Sequence, residues 1–151
     1  MNELADSLDG IARDAEVKLL KFSDAAAGDK ERGWSKKEIL GHLVDSASNN
    51  HQRFVRMQLA DNLSLPRYTQ DEWVAVQAYG KSPWEDLVRL WSSYNVHLAQ
   101  VIRNVRVETL GNRCSVGGGE PVTLQYLMDD YLVHLKHHLG QIFGENFLGR
   151  K

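Results

Sequence analysis

Residues 129–142, with the sequence DDYLVHLKHHLGQI, form the stretch that decides the fold. Apolar residues recur in it at three- and four-residue steps, which is typical of an amphipathic helix. His134 and His138 stand four residues apart, so their side chains share one helix face with Cβ atoms about 5–6 Å apart. Two imidazoles placed in this way can bind one metal ion, since Zn–N bonds are about 2.0–2.1 Å long. The spacing alone is a weak signal, and the rest of the chain must decide its meaning.

The overall composition predicts one globular domain spanning residues 1–151. The chain has 151 residues and a formal net charge of -2, which is enough chain to bury a core and shows no basic surplus for nucleic-acid binding. A single cysteine, Cys114, excludes an intramolecular disulfide and suits a reducing compartment. Neither a signal-peptide core nor an apolar run of about 20 residues is apparent. We therefore expect a cytoplasmic protein that binds neither nucleic acid nor membrane.

Four long segments carry the apolar periodicity of helices. We predict an all-α four-helix bundle about 30–38 Å long, with helices near 2–22, 36–60, 83–105 and 123–147. A short extra helix is expected near 70–76, and the glycine-rich residues 114–120 are expected to form an irregular loop with flexibility or a tight turn.

Helix start signals support this division. Ser35 with Glu38, and Thr69 with Glu72, each have the spacing of a capping box. Ser82 is expected to cap the third long helix with Pro83 at its first position, and Thr123 opens the fourth.

A polar strip borders the apolar face of the second long helix. His42 lies on it, and at about 100° per residue Ser46, Asn49 and Arg53 fall within about 40° of His42. His51 lies about 180° away and is interpreted as a surface histidine, and His97 of the third helix is not expected to be a ligand.

The second and fourth helices together suggest a metal centre. If they are neighbours, His42 meets His134 and His138, and three neutral imidazoles can hold a divalent ion with positions left open for water or substrate. The alternative is that the three histidines are unrelated and make ordinary hydrogen bonds.

Residues 34–46, 122–124 and 130–142 resemble the DinB/YfiT-like superfamily, and residues 71–91 are also similar. The combination of HLxD at His42 with HxxHHxxQ starting at His134 is fairly specific. The resemblance implies a four-helix bundle, often dimeric, with a divalent metal such as zinc or nickel on His42, His134 and His138. His137 matches a frequent family histidine that is not the usual ligand.

The resemblance implies several activities and does not select among them. Some members transfer low-molecular-weight thiols such as bacillithiol, related ones isomerise maleylpyruvate with mycothiol, and others are named metal-dependent hydrolases. Our leading hypothesis is a metalloenzyme that activates a thiol as thiolate or a water as hydroxide, acting on a small molecule, with a low-molecular-weight thiol as one candidate partner. The alternative is a non-catalytic metal-binding or dimerisation bundle.

Five further residues are candidates for roles around the metal. Asp45 and Asp130 are expected to accept the second N–H of ligating histidines. Asn49, Arg53 and Tyr131 are expected to line the pocket, although a solvated arginine and a packed tyrosine are the simpler interpretations.

A homodimer is also expected, from the resemblance and from the apolar character of the helices. Trp73, Trp84 and Trp91 are the candidate residues for its surface.

Overall fold

The computed structural model of the protein describes residues 1–144, in which six α-helices and three short strands are present. The helices and strands are α1 Asn2–Leu19, α2 Asp24–Gly28, α3 Lys36–Leu59, β1 Leu63–Leu65, α4 Gln70–Gln77, α5 Trp84–Arg103, β2 Arg113–Val116, β3 Val122–Thr123 and α6 Leu124–Phe143. Short 3₁₀ turns occupy Tyr79–Lys81 and Val107–Thr109. The predicted all-α class and four-helix bundle are confirmed, with α1, α3, α5 and α6 as the long helices.

The core lies where the long helices face one another. The helix α1 packs along α5, and α3 contacts both α5 and α6. The largest fully buried side chains include Trp91, Phe54 and Met128. Among residues 1–144, no helix is both long and apolar enough to cross a lipid bilayer. The packing makes α3 and α6 direct neighbours, which is the arrangement on which the predicted metal centre depends.

The helix ends differ from the prediction mainly near the start of the chain. The helix α1 ends at Leu19 rather than near residue 22, and a separate short helix, α2, follows. The Ser23 side chain accepts a hydrogen bond from the backbone N–H of Ala26 and so starts α2. The last residues of the fourth predicted helix, 145–147, lie outside the described residues.

Two of the four predicted helix starts are made as expected. Ser35 and Glu38 form a complete capping box at α3, and Thr123 caps α6. The capping box predicted for Thr69 and Glu72 is not formed, since the Thr69 side chain makes no cap hydrogen bond at the start of α4. The prediction for Ser82 is wrong, because Pro83 is the capping residue of α5 and the backbone N–H of Trp84 donates to Asp24 Oδ1 at 2.8 Å.

A small sheet ties the end of α3 to the segment before α6. Strand β1 pairs in parallel with β2, with Leu63 opposite Cys114, and β2 pairs antiparallel with β3. Gly117 and Gly118 have φ of 59° and 75° in the β2–β3 connection, where glycine has no steric penalty. The region predicted to be an irregular loop therefore contains a hairpin with a tight turn.

Two of the three tryptophans expected at a dimer surface are buried in the core. Trp91 is 0% exposed and Trp84 is 3% exposed, with the Trp84 indole N–H donating to the Leu19 carbonyl. Both are core residues of one chain, so their assignment to a dimer surface is wrong. Trp73 on α4 is 38% exposed. The homodimer itself stays a prediction.

Candidate metal centre

Three histidines from two helices converge at one point of the bundle. Nε2 of His134 on α6 lies 3.3 Å from Nε2 of His42 on α3. It also lies 3.1 Å from Nε2 of His138, on the same helix as His134. The three candidate ligand atoms all lie within 4.8 Å of one another. Two nitrogens bound tetrahedrally at about 2.0–2.1 Å from zinc are themselves about 3.3 Å apart. The spacing of the imidazoles is thus close to that of a metal-bound pair.

The proton count of these imidazoles supports the same interpretation. A neutral imidazole carries one N–H, so Nε2 of His134 can donate to only one of the two Nε2 atoms beside it. His138 Nδ1 lies 2.8 Å from Gln141 Oε1, which only accepts, so the His138 proton belongs on Nδ1 and its Nε2 carries a lone pair. A cation between the three Nε2 atoms would satisfy all of their lone pairs. The donor set therefore fits a divalent metal ion.

Burial keeps the histidines in the neutral form that can bind metal. His42 is 1% exposed, whereas His134 and His138 are half-buried. Burial lowers the pKa of His42 and of His134 to about 4, with the neighbouring histidines as a further cause, and it also lowers the pKa of His138. Imidazoles with such pKa values are unprotonated near pH 7, so protons compete weakly with a metal there.

The partner of a candidate ligand is Gln141 rather than either predicted aspartate. Gln141 follows His138 by three residues and therefore shares its helix face, which is the sequence signal that identifies it. Asp45 is 2% exposed, and its Oδ1 accepts hydrogen bonds from Tyr79 at 2.6 Å and Gln77 at 2.8 Å. Asp130 is exposed on α6 and, within the described part of the chain, makes no hydrogen bond to these histidines.

Three other predicted pocket residues lie away from the convergence point. Tyr131 is buried in the core, where its hydroxyl donates to Asn95 and burial raises its pKa. Asn49 donates to the Asp45 carbonyl at 2.8 Å, and together with Arg53 it lines a different pocket further along α3. The structure therefore separates these side chains from the histidine cluster.

A cleft of about 620 Å³ opens beside His138. Trp34 forms part of its wall, and its ring lies 5.2 Å from that of His42 between centroids. The cleft is lined by Arg32, Gly33, Trp34, Ile39, Gln70, Asp71, His138 and Gln141. Its lining comes from the loop before α3, from the first turn of α3, from α4 and from α6. These segments are spread along the sequence, so periodicity within one helix could not identify the cleft.

The remaining histidines stand apart from the cluster. His51 is half-buried rather than fully on the surface, and its Nδ1 lies 2.8 Å from the Tyr94 hydroxyl. The ring of His97 lies 5.3 Å from that of His51, so these two form a separate pair between α3 and α5. His137 is exposed, and its ring stands 5.1 Å from that of His138. None of the three belongs to the group whose ligand atoms converge.

Comparisons with known proteins agree with this architecture. A family model described as the DinB superfamily matches residues 11–142. A Halalkalibacterium halodurans protein named "Putative metal-dependent hydrolase BH0277" is 22% identical over 113 residues, which are 75% of this chain and 66% of that protein, just under two thirds of its length. The structure of YfiT from Bacillus subtilis, called "a probable metal-dependent hydrolase with an unusual four-helix bundle topology", is similar with a TM-score of 0.85 at 16% identity, over 94% of this chain and 83% of that one.

At 16% identity the structural likeness establishes the shared fold alone. The family match covers most of the chain and includes all three converging histidines, and it confirms the resemblance seen in the sequence. The protein belongs to the DinB superfamily.

Proposed function

We propose that the protein is a metal-dependent enzyme of hydrolase type, in which His42, His134 and His138 hold one divalent metal ion next to the cleft. The observation that carries the proposal is the convergence of His42, His134 and His138 from α3 and α6, with His138 in the wall of an open cleft. The names of the two relatives, both of which refer to metal-dependent hydrolases, support the same reaction class.

The chain's own residues prepare the site for this chemistry. Three neutral imidazoles do not cancel the charge of a divalent ion, which when bound would lower the pKa of a coordinated water or thiol. His42 is fixed by burial on α3, and Gln141 orients His138 by accepting from its Nδ1–H. The ring of Trp34 lies next to that of His42, with 5.2 Å between their centroids.

A thiol transferase is the second candidate function, and the charges of the cleft favour it. Arg32 and Asp71 both line the cleft and are exposed, so a substrate that carries a carboxylate and an amine finds a partner for each group. Small cellular thiols built from amino acids have both groups. Either reaction needs the same metal site and the same small-molecule cleft.

The metal site is tested by replacing each histidine with alanine and measuring metal content and affinity in protein made without a histidine tag. Wild type should hold one ion per chain, and His42→Ala, His134→Ala and His138→Ala should each weaken binding by well over tenfold, since loss of an outer partner alone typically costs about 10–100-fold. His51→Ala and His97→Ala are the matched controls and should bind like wild type. Tight binding by the first three variants would contradict the assignment.

The reaction is tested with metal-loaded and chelator-treated protein on two panels. One contains esters and amides, and the other combines small thiols with electrophiles. Metal-dependent turnover on the first panel supports the hydrolase, and turnover on the second supports the transferase. Stoichiometric metal without turnover on either panel would favour the non-catalytic bundle instead.

A further inference from the structure

A second pocket, of about 400 Å³, lies further along α3 and shares no residue with the cleft at the histidines. At about 1.5 Å of rise per residue, Asn49 and Arg56 stand about 10 and 21 Å from His42 along the helix axis. The pocket is lined by Asn49, Gln52, Arg53, Arg56, Ser64, Leu65 and Pro66. Its walls are one face of α3 and the strand β1 with the residue that follows it.

Two arginines in this pocket have no acidic partner among residues 1–144. Arg53 is half-buried, and its guanidinium donates to the Pro66 carbonyl at a long 3.5 Å. Arg56 is exposed and donates to Gln52 Oε1 at 3.1 Å. In residues 1–144, neither guanidinium lies within 4.0 Å of a carboxylate. Four other arginines do form ion pairs with a carboxylate: Arg13, Arg89, Arg103 and Arg106.

The environment of Arg53 makes its charge costly without a counter-ion. Burial lowers the pKa of Arg53, although arginine stays protonated in proteins. A partly desolvated cation is stabilised by an anion that accepts from its planar fork, and carboxylate and phosphate oxygens match that geometry. The fold holds Arg53 against β1 and supplies no such anion from residues 1–144.

The other lining residues suit a small ligand. Asn49, Gln52 and Ser64 add amide and hydroxyl groups beside the two guanidinium groups, while Leu65 and Pro66 add an apolar wall. Pockets that bind small molecules have volumes of about 300–1,000 Å³ and combine an apolar lining with a few polar groups. The chain as a whole has a net charge of -2, which disfavours a long polyanion as the occupant.

We propose that this pocket is a binding site for a small organic oxyanion, whose carboxylate or phosphate group is held by Arg53 and Arg56. The site is separate from the histidine cluster, and binding there does not need the metal. The proposal therefore stands or falls independently of the proposed enzymatic function.

The test is calorimetric titration of succinate and of inorganic phosphate, at low ionic strength, into chelator-treated and metal-loaded protein. The two anions distinguish a carboxylate site from a phosphate site. At least one should bind saturably, at one per chain, with the same affinity in both preparations. Arg53→Gln should weaken binding roughly tenfold or more, since it removes charge-assisted hydrogen bonds.

Two further variants keep the test sharp. Arg56→Gln changes an exposed residue and should weaken binding without disturbing the fold. Arg89→Gln is the matched control, because it removes the same charge from an exposed arginine that pairs with Glu85 on α5; it should bind like wild type. Circular dichroism of each variant establishes that the helices are intact.

Three results would overturn the proposal. The first is the absence of saturable binding of either anion by wild type. The second is binding by folded Arg53→Gln and Arg56→Gln that equals wild type. The third is binding that disappears when the metal is removed, which would place the anion on the metal rather than in this pocket.

Discussion

His42 combines nearly complete burial with a ring nitrogen that has no hydrogen-bond partner in residues 1–144. Its side chain is 1% exposed, and its Nδ1 atom is buried without a hydrogen-bond partner among the described residues. An unpartnered buried polar atom typically costs about 1–3 kcal/mol. This destabilising atom belongs to the same residue whose Nε2 lies 3.3 Å from Nε2 of His134. Local destabilisation of this kind is typical of functional sites.

The buried histidines predict how the metal-free protein responds to acid. Burial lowers the pKa of His42 and His134 to about 4, whereas unfolded histidine titrates near 6.5. Between about pH 6.5 and 4 the unfolded chain binds protons that the folded chain does not, so the unfolding free energy should fall as pH falls. The slope is at most about 1.4 kcal/mol per pH unit for each histidine. Urea unfolding of chelator-treated protein at pH 7, 6 and 5 measures it.

The control for this prediction is the double variant His42→Gln with His134→Gln. It keeps the other titrating groups, so its pH dependence should be flatter over the same range. Equal slopes for the variant and for wild type would show that these two histidines titrate normally in the folded chain.

Residue spacing predicted which histidines come together, but it did not predict their partners. The pairing of His134 with His138 follows from one helical turn, and the inclusion of His42 rested on the edge of its apolar face together with the family resemblance. The acceptor Gln141 was open to the same argument from spacing. Asp45 was not, because its hydrogen bonds from Tyr79 and Gln77 join segments more than 30 residues apart. Contacts of that kind depend on tertiary packing.

Two helix starts with the same sequence signal provide a matched test of capping. The Ser35 hydroxyl accepts from the backbone N–H of Glu38 at 3.2 Å, whereas Thr69 makes no side-chain cap bond. Ser35→Ala should therefore lower the unfolding free energy by about 0.5–2 kcal/mol. Thr69→Ala should change it by much less, as measured by urea unfolding. A larger loss for Thr69→Ala than for Ser35→Ala would contradict this account of the two helix ends.

The contact of α3 with the turn at Tyr79–Lys81 requires a glycine. A Cβ atom added to Gly41 would overlap the ring of Tyr79, which is itself held by the hydrogen bond to Asp45. Gly41→Ala should lower the unfolding free energy by about 1–3 kcal/mol, because a closely packed ring has to move. Thermal unfolding measures the loss.

Gly10 in α1 is the control for this glycine. A Cβ atom there meets no atom of residues 1–144 within 4 Å, so Gly10→Ala should stabilise by up to about 1 kcal/mol through helix propensity. Stabilisation by Gly41→Ala of the same size as by Gly10→Ala would show that Tyr79 does not limit the approach of α3.

The three short strands could not be predicted from the sequence. The strands contain two to four residues, and β1 pairs with β2 across about 50 residues of sequence. Segments that short are too brief to show the alternation that identifies a strand. Their pairing is decided by the helices that bring residues 63 and 114 together. The long helices were predictable because each carries several turns of the same periodicity.

For the whole molecule, the sequence predicted the number of long helices but not what covers each of them. Trp84 and Trp91 lie on the apolar stripe of α5, and that stripe faces α1 and α3 rather than a second chain. An apolar stripe is the same signal whether the surface that covers it belongs to the same chain or to another. Sedimentation measures the oligomeric state, which stays a prediction.

The position of the histidine cluster also predicts how metal changes the stability of the whole bundle. His42 lies on α3 and His134 on α6, so a shared ion joins two long helices that already pack against each other. An ion present at about 100 times its dissociation constant adds about 2.7 kcal/mol when it binds only the folded chain. For a chain of this length, that raises the midpoint of thermal unfolding by roughly 5–10 °C. Thermal scans with increasing zinc or nickel measure the shift at pH 7, where the imidazoles are neutral.

The variant with alanine at all three positions should show no shift, whatever its own midpoint. A shift of equal size in that variant would place the stabilising ion elsewhere on the chain.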